Sequence, residues 1–393
     1  MDKQDIVIVA ARRTPVGSFQ GAFTQVSATE LGSTAIRAAL EDSGVEPGDI
    51  SEVFMGCVLP AGVGQAPARQ ASLGAGIPDS VPCTTINKVC GSGMKSMMLG
   101  HDLIKAGSAD IVLAGGMESM TRAPYMLPKA RGGFRMGHGE VIDHMFWDGL
   151  QNPYDEKLMG CFGDQLADEY DFSREEIDEF AAESVRRARA AVESGAFKNE
   201  IAPVTVKTRK GETVVDTDEA PFRCKPEKIP ELKPAFRKDG TVTAANASSI
   251  NDGAAAIIVM SGEAAEKRGL KPLARMVGHA THAQAPEWFT TAPGKAIAKL
   301  LEKNGWSVDD VDLFEVNEAF AAVAMAAMRD LGIPHEKINV NGGACALGHP
   351  IGATGARITV TLLHALLNRG LKRGIACLCI GGGEATAIGI EVL

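Results

Sequence analysis

Aromatic side chains are scarce in this chain, at 5 % of 393 residues, and positive charge is outweighed, with 40 Lys and Arg against 49 Asp and Glu for a net charge of −9. Proteins that hold single-stranded nucleic acid interleave basic grooves with stacking rings, so both shortages argue against a nucleic-acid partner. Long apolar runs are missing too. The longest, Ala319 to Met328, is half the ~20 residues a helix needs to cross a bilayer, which predicts no membrane span. The start, Asp2-Lys-Gln-Asp5 leading into Ile6-Val-Ile-Val-Ala10, lacks the basic stretch, apolar core and small-residue cleavage site of a secretory leader. Eight cysteines lie at 57, 83, 90, 161, 224, 345, 377 and 379 without a repeated Cys-x-x-Cys spacing. In a chain large enough to build a core unaided they read as reduced thiols, and the expected compartment is cytoplasmic.

What is present in quantity is glycine, 44 residues, within a 45 % hydrophobic composition, as in loop-rich α/β proteins; the length suggests two or three domains. Ile6 to Ala10 reads as a buried strand that ends before the Arg12-Arg-Thr-Pro15 turn. A helix from Thr29 to Asp42 follows, with Leu31, Ala35, Ile36, Ala39 and Leu40 on one face and Gly44 as its stop. Asp49 to Gly56 reads as the next strand. The second half repeats this unit: Ala35, Leu40, Gly44, Asp49 and Val53 align without a gap on Ala296, Leu301, Gly305, Asp310 and Phe314. Helices alternating with strands in both halves imply helix-covered parallel sheets and two α/β halves related by a pseudo-twofold. Residues 122–240 break the pattern with eight prolines and a helix from Ser173 to Ser194 opened by a Ser173/Glu176 capping box. Ten Lys and Arg face seven Asp and Glu between Lys198 and Lys238, which fits either a phosphate-bearing ligand or ordinary surface charge. The expected domains are 1–121 with 241–269, an inserted loop domain 122–240, and 270–393.

Four places carry chemistry. In Asn87-Lys-Val-Cys-Gly-Ser-Gly-Met94 an extended approach ends at Cys90, and a helix opens behind two glycines. Amide donors and the helix dipole would then lower the thiol pKa and make Cys90 a nucleophile; a buried core cysteine is the other reading. Asn339 to Arg357 brings His349 to the start of the corresponding helix of the repeat, as a proton acceptor and donor, or as a satisfied loop histidine. Cys379 ends the last apolar strand before Ile380-Gly-Gly-Gly383, where freed amides suit an ionised sulfur or an oxyanion; Cys377, on the same strand face, is core. Asn317 in Val316-Asn-Glu-Ala-Phe320 orients a water or carbonyl, caps a helix, or both.

Taken together, Asn87 to Lys95, Gly115-Gly-Met-Glu-Ser119, Asn317 to Phe320, Gly348-His-Pro-Ile-Gly-Ala-Thr-Gly355 and Cys379 to Gly383 resemble the motifs of the thiolase family, over essentially the whole chain. The resemblance implies an α/β fold of duplicated halves in a layered αβαβα core, and a ping-pong acyl transfer through an acyl-cysteine on Cys90. His349 would be its base, Cys379 would deprotonate the second substrate, and Asn317, Gly381 and the Cys90 amide would stabilise oxyanions. The implied activity is reversible condensation of two acetyl-CoA to acetoacetyl-CoA and CoA. The alternatives are a degradative 3-ketoacyl-CoA thiolase of broader chain length and, further off, a non-catalytic acyl-CoA binder. Asn246 to Gly253 resembles the segment along the coenzyme A path and implicates Ala247 and Ser248; Met159 borders the acyl pocket, and Arg223 points toward the adenine and phosphate end. No metal or resident cofactor is implied, and the expected assembly is a homodimer or homotetramer with residues 122–149 in the contact. The chain departs from the family pattern at Ala66, at Lys157-Leu-Met159 and at Glu384-Ala385.

Overall fold

A computed structural model describes residues 4–209 and 211–393. Met1 to Lys3 and Lys210, which carry part of the leader reading and one of the ten cations counted above, lie outside the described residues. The N-terminal half runs β1 (Ile6–Arg13), α1 (Ala28–Ser43), β2 (Glu52–Gly56), α2 (Pro67–Gly74), β3 (Cys83–Ile86), α3 (Ser92–Lys105) and β4 (Ile111–Ser119). After an excursion containing α4 (Met159–Glu169) and α5 (Arg174–Glu193), the chain rejoins the sheet as β5 (Asn251–Ser261). The C-terminal half adds β6 (Ala274–Ala283), α6 (Ala292–Asn304), β7 (Leu313–Val316), α7 (Ala321–Leu331), α8 (Thr354–Arg369), β8 (Arg373–Ile380) and β9 (Glu384–Val392). The expected strand from Asp49 starts only at Glu52, because Pro47–Asp49 winds into a single 3-10 turn with proline at its first position.

One ten-stranded sheet takes the order β7-β8-β9-β6-β1-β5-β4-β2-β3, with the short strand Gly17–Ser18 beside β5. The halves join where Ile6 to Ile8 pair with Met276 to Ala274. The sheet is mixed rather than parallel as expected: pairing is parallel only toward its two ends, β2 with β3 and β4, and β7 with β8. Connection length explains this. Gly381 to Gly383 leave room only for a reversal between β8 and β9, and β5 starts opposite the end of β4, with Asp252 facing Ser119, so it must run back.

Three apolar layers follow from strand residues alternating between the two sheet faces. Val7, Val53, Leu113 and Ile258 meet Leu31 and Ile36 of α1 on one outer side. Ile6, Ile8, Val112 and Leu378 meet Met94, Met97, Ile358 and Leu362 of α3 and α8 in the middle. Val316, Ile375 and Cys377 meet Ile297, Leu300 and Val323 of α6 and α7 on the other outer side. Each fully buried side chain of this size contributes about 1.5–3 kcal/mol, and the result is the αβαβα layering. The repeat is visible in detail: α1 and α6 stop at Gly44 and Gly305, with φ of 65° and 64°.

The middle helices cross at equivalent glycines. A Cβ on Gly355 would lie 2.4 Å from the Met94 nitrogen, and one on Gly93 2.9 Å from the Ala356 nitrogen, so only hydrogen fits at the crossing. Since α3 follows Cys90 and α8 follows His349, this crossing fixes how the two halves of the site face each other. In the excursion, α5 carries the expected capping box: the Glu176 amide donates to Ser173 Oγ at 3.2 Å, and the Ser173 amide to Glu176 Oε2 at 2.8 Å.

Candidate active site

The elbow at Cys90 is built by short-range hydrogen bonds. Asn87 Oδ1 accepts the Val89 amide at 3.0 Å, Ser92 Oγ accepts the Lys88 amide at 2.8 Å, and the Ser92 hydroxyl donates to the Val89 carbonyl at 2.6 Å. Val89 is thereby held at φ 47°, a region β-branched residues avoid, so surrounding contacts must hold the backbone there. Cys90 emerges between this kink and the first turn of α3.

His349 is fixed from both sides. Its amide donates to Asn251 Oδ1 at 3.0 Å, and its Nδ1 lies 2.6 Å from Thr354 Oγ1. The Thr354 hydroxyl donates to the Pro350 carbonyl at 2.9 Å, so its oxygen accepts from Nδ1–H and the lone pair is left on Nε2. That Nε2 is buried without a protein partner. Burial, with Arg357 adding to it, pushes the His349 pKa down to about 3; the resting ring is a neutral base.

Cys90, His349, Cys379 and Gly381 line one cavity of about 380 Å³, together with Met159, Ala247 and Ser248. Its remaining walls are mostly apolar and include Phe146, Leu150, Phe236, Phe289 and Ile351. The backbone amides of Gly381 and of Cys90 itself pull the Cys90 thiol down in pKa, so both act on this sulfur and are the donors an oxyanion formed on Cys90 would draw on.

The expected lowering of the Cys90 pKa does not occur. Burial pushes the thiol up to about 11, with the Glu118 carboxylate adding to the rise, while the Gly381 and Cys90 amides pull down by less. Cys379 is likewise raised, not held ionised: burial comes first, then the Cys90 and Cys377 sulfurs. The resting site therefore holds two thiols and a neutral imidazole, and each thiolate has to be generated during turnover.

Two sequence-derived residues do not line the cavity. Asn317 directly follows β7, fully buried, with Nδ2 lacking a protein partner. It caps no helix, because α7 starts at Ala321 with Phe320 before it. Arg223, paired with Glu219 at 2.8 Å, lines a second, more open cavity of about 610 Å³ together with Lys225 and Lys228. Ala244, Ser249 and Ile250 border both cavities, so the cationic pocket opens beside the thiols. Sequence reasoning missed Thr354, although it sits inside the Gly-His-Pro motif, and Glu118, whose buried carboxylate accepts the amides of Val58, Leu59 and Gly352. The aromatic walls carried no signal, since Phe146 and Phe289 come from short π and 3-10 turns and Phe236 from a loop. Elsewhere, His101, Asp102 and His279 are the one trio of neighbouring metal-ligating groups among the described residues; Asp102 Oδ1 already takes both imidazoles, at 2.9 and 2.8 Å.

A model of the thiolase N-terminal domain matches residues 6–263, and a model of the thiolase C-terminal domain matches residues 270–392. The chain belongs to the thiolase family. Among relatives, an acetyl-CoA acetyltransferase of Pseudomonas aeruginosa is 51 % identical over 387 residues, covering 98 % of each chain. Acetyl-CoA acetyltransferase 1 of Arabidopsis thaliana is 49 % identical over 396 residues, covering all of this chain and 95 % of its own. The crystal structure of the Bacillus anthracis acetyl-CoA acetyltransferase superposes with a TM-score of 0.97 at 45 % identity over 99 % of both chains. This thiolase-family chain thus matches its relatives from end to end, including the duplicated core that carries the cavity.

Proposed function

We propose that this thiolase-family acyltransferase catalyses the reversible condensation of two acetyl-CoA to acetoacetyl-CoA and CoA; its relatives carry the name acetyl-CoA acetyltransferase. The observation that carries the reading is the convergence of Cys90, His349, Cys379 and the Gly381 amide on one cavity. In the first half-reaction the Cys90 sulfur attacks the thioester carbonyl as His349 Nε2 takes its proton. The tetrahedral oxyanion is met by the Cys90 and Gly381 amides, and the departing CoA sulfur leaves with the proton from Nε2.

An acetylated Cys90 has no thiol left to ionise, so it cannot turn a thiolate charge toward Cys379, a charge that would raise the Cys379 pKa further. The second half-reaction is thereby favoured only after the first. The Cys379 thiol passes its proton to His349 Nε2, and the Cys379 thiolate then removes a methyl proton from a second acetyl-CoA. The enolate oxygen is stabilised by the protonated Nε2; Asn317, outside the cavity lining, would reach it only through a water bridging from its unpartnered Nδ2. The enolate carbon attacks the acetyl-Cys90 carbonyl, acetoacetyl-CoA leaves, and the proton on Nε2 returns to Cys90. No metal or resident cofactor enters this scheme. The pantetheine arm would pass Ala247 and Ser248, with Met159 against the acyl group and the phosphate-rich end toward Arg223, Lys225 and Lys228.

A cytoplasmic location and a homodimer or homotetramer are part of the proposal. No helix among the described residues is long and apolar enough to cross a membrane. Tyr125, Leu127, Met136 and Val141 expose apolar surface in the excursion, Met136 at 97 %, which favours burial against another copy. The test is a thiolysis series with CoA, following loss of the 3-ketoacyl-CoA enolate absorbance from the four-carbon substrate to medium chains. A maximal rate on acetoacetyl-CoA supports the reading; a maximal rate on longer chains replaces it with the degradative one.

A further inference from the structure

The two amides that would receive the oxyanion come from segments far apart in the sheet. The Cys90 elbow leaves β3 at one edge, while Gly381 lies in the turn between β8 and β9 near the other. No strand pairing joins them, so their spacing depends on side-chain contacts across the middle layer. Two close approaches and one ion pair bridge them. A Cβ on Gly91 would lie 2.4 Å from Ile380 Cδ1, and one on Gly381 3.8 Å from Val89 Cγ1. At the outer end, Lys88 Nζ donates to Glu384 Oε2 at 2.5 Å.

Both ends of this ion pair are anchored. Glu384 opens β9 and is paired on one side with Ile380 of β8 and on the other with Ala283 of β6, so its backbone is fixed. Lys88 sits between Asn87 and the left-handed Val89, its amide held by Ser92 Oγ. The charged ends are partly covered, at 21 % and 33 % exposure, which reduces solvent screening relative to a free surface pair. Among the described residues no other ion pair joins the elbow to the β8–β9 turn.

We propose that Lys88 and Glu384 form a positioning pair that sets the distance between the Cys90 and Gly381 amides, and so tunes oxyanion stabilisation without touching substrate. The proposal rests on the oxyanion role assigned above to those amides. A strained elbow relaxes when its outer tether is cut, and misplacement by a fraction of an ångström weakens donors that act only in the transition state.

The test compares Lys88→Met, Glu384→Gln, the exchange K88E/E384K and Lys88→Arg in acetoacetyl-CoA thiolysis, with thermal unfolding as a check on the fold. The two neutralised variants should lose about ten- to hundredfold in kcat, with KM within about twofold. Lys88→Arg and the exchange should recover most of that loss. Full kcat in either neutralised variant overturns the proposal, and so does a loss in a folded exchange variant as large as in the single ones. Should Lys88→Met fail to fold, Glu384→Gln and the exchange carry the same comparison. Peptide mapping of wild-type enzyme after acetyl-CoA separates the two levels: without acetyl on Cys90 the functional reading fails, whereas acetyl on Cys90 with an unaffected Glu384→Gln rate removes only the positioning role.

Discussion

Replacing Gly355 by alanine probes the contact that holds the two halves of the site in place. The new Cβ would lie 2.4 Å from the Met94 nitrogen and 2.6 Å from the Met94 Cβ. The obstacle is largely backbone, so α3 and α8 must part by about 1 Å, and overpacking of this kind costs about 3 kcal/mol. The same displacement separates Cys90, just before α3, from His349, just before α8, and a shift of that size between reacting groups costs up to about a hundredfold in rate. Denaturant unfolding and acetoacetyl-CoA thiolysis, run side by side, measure both effects. Gly48→Ala is the control: its Cβ meets nothing nearer than Pro78 Cγ at 3.9 Å, and it should stay within about 0.5 kcal/mol of wild type at full activity. A Gly355→Ala protein as stable and as active as the Gly48→Ala control would refute the idea that this crossing sets the site.

Glu118, pushed up to about 7 by burial from 4.5 in the unfolded chain, binds its proton more tightly when folded, so its contribution is fully present below pH 4.5 and is lost as pH rises through 7. The stability of Glu118→Gln relative to wild type should therefore improve by about 2.5 kcal/mol between pH 5 and pH 8; a pH-independent difference in denaturant titrations would exclude this. Thr354→Val removes the acceptor that holds His349 Nδ1–H and should lower kcat about tenfold with little change in KM, while Thr354→Ser restores it; equal rates for valine and serine would dismiss the tautomer argument. Ser173→Ala should lose about 1 kcal/mol with turnover intact, and an unchanged unfolding midpoint would mean the capping box contributes nothing.

Local chemistry was legible in the sequence where one segment decides the outcome. The Ser173/Glu176 box, the stop of α1 at Gly44 and the turn into α3 at Cys90 need only near neighbours. The ungapped repeat was legible for the same reason, and it placed Cys90 and His349 at the starts of corresponding helices. Sheet direction was not legible, because it depends on where β5 re-enters after the long excursion and on the brevity of the Gly381 to Gly383 turn. The sign of the Cys90 pKa shift was missed because the dipole and amide donors are local, whereas the burial that outweighs them is assembled from all three layers. Of the two readings of Asn317, the helix cap rested on Asn standing before an apolar run and does not hold, because the helix waits until Ala321. Lys88 and Glu384, nearly three hundred residues apart, leave no pairing signal in a single sequence.

The central claim is that Cys90 carries the acyl group while Cys379 makes the carbon nucleophile. The most direct measurement is peptide mass spectrometry of Cys379→Ala after incubation with acetyl-CoA, where turnover is blocked and the intermediate should accumulate. Acetyl is expected on Cys90 alone, released by added CoA, with none in the corresponding peptide of Cys90→Ala. Acetyl found chiefly on another residue, or acetylation that survives in Cys90→Ala, would contradict it.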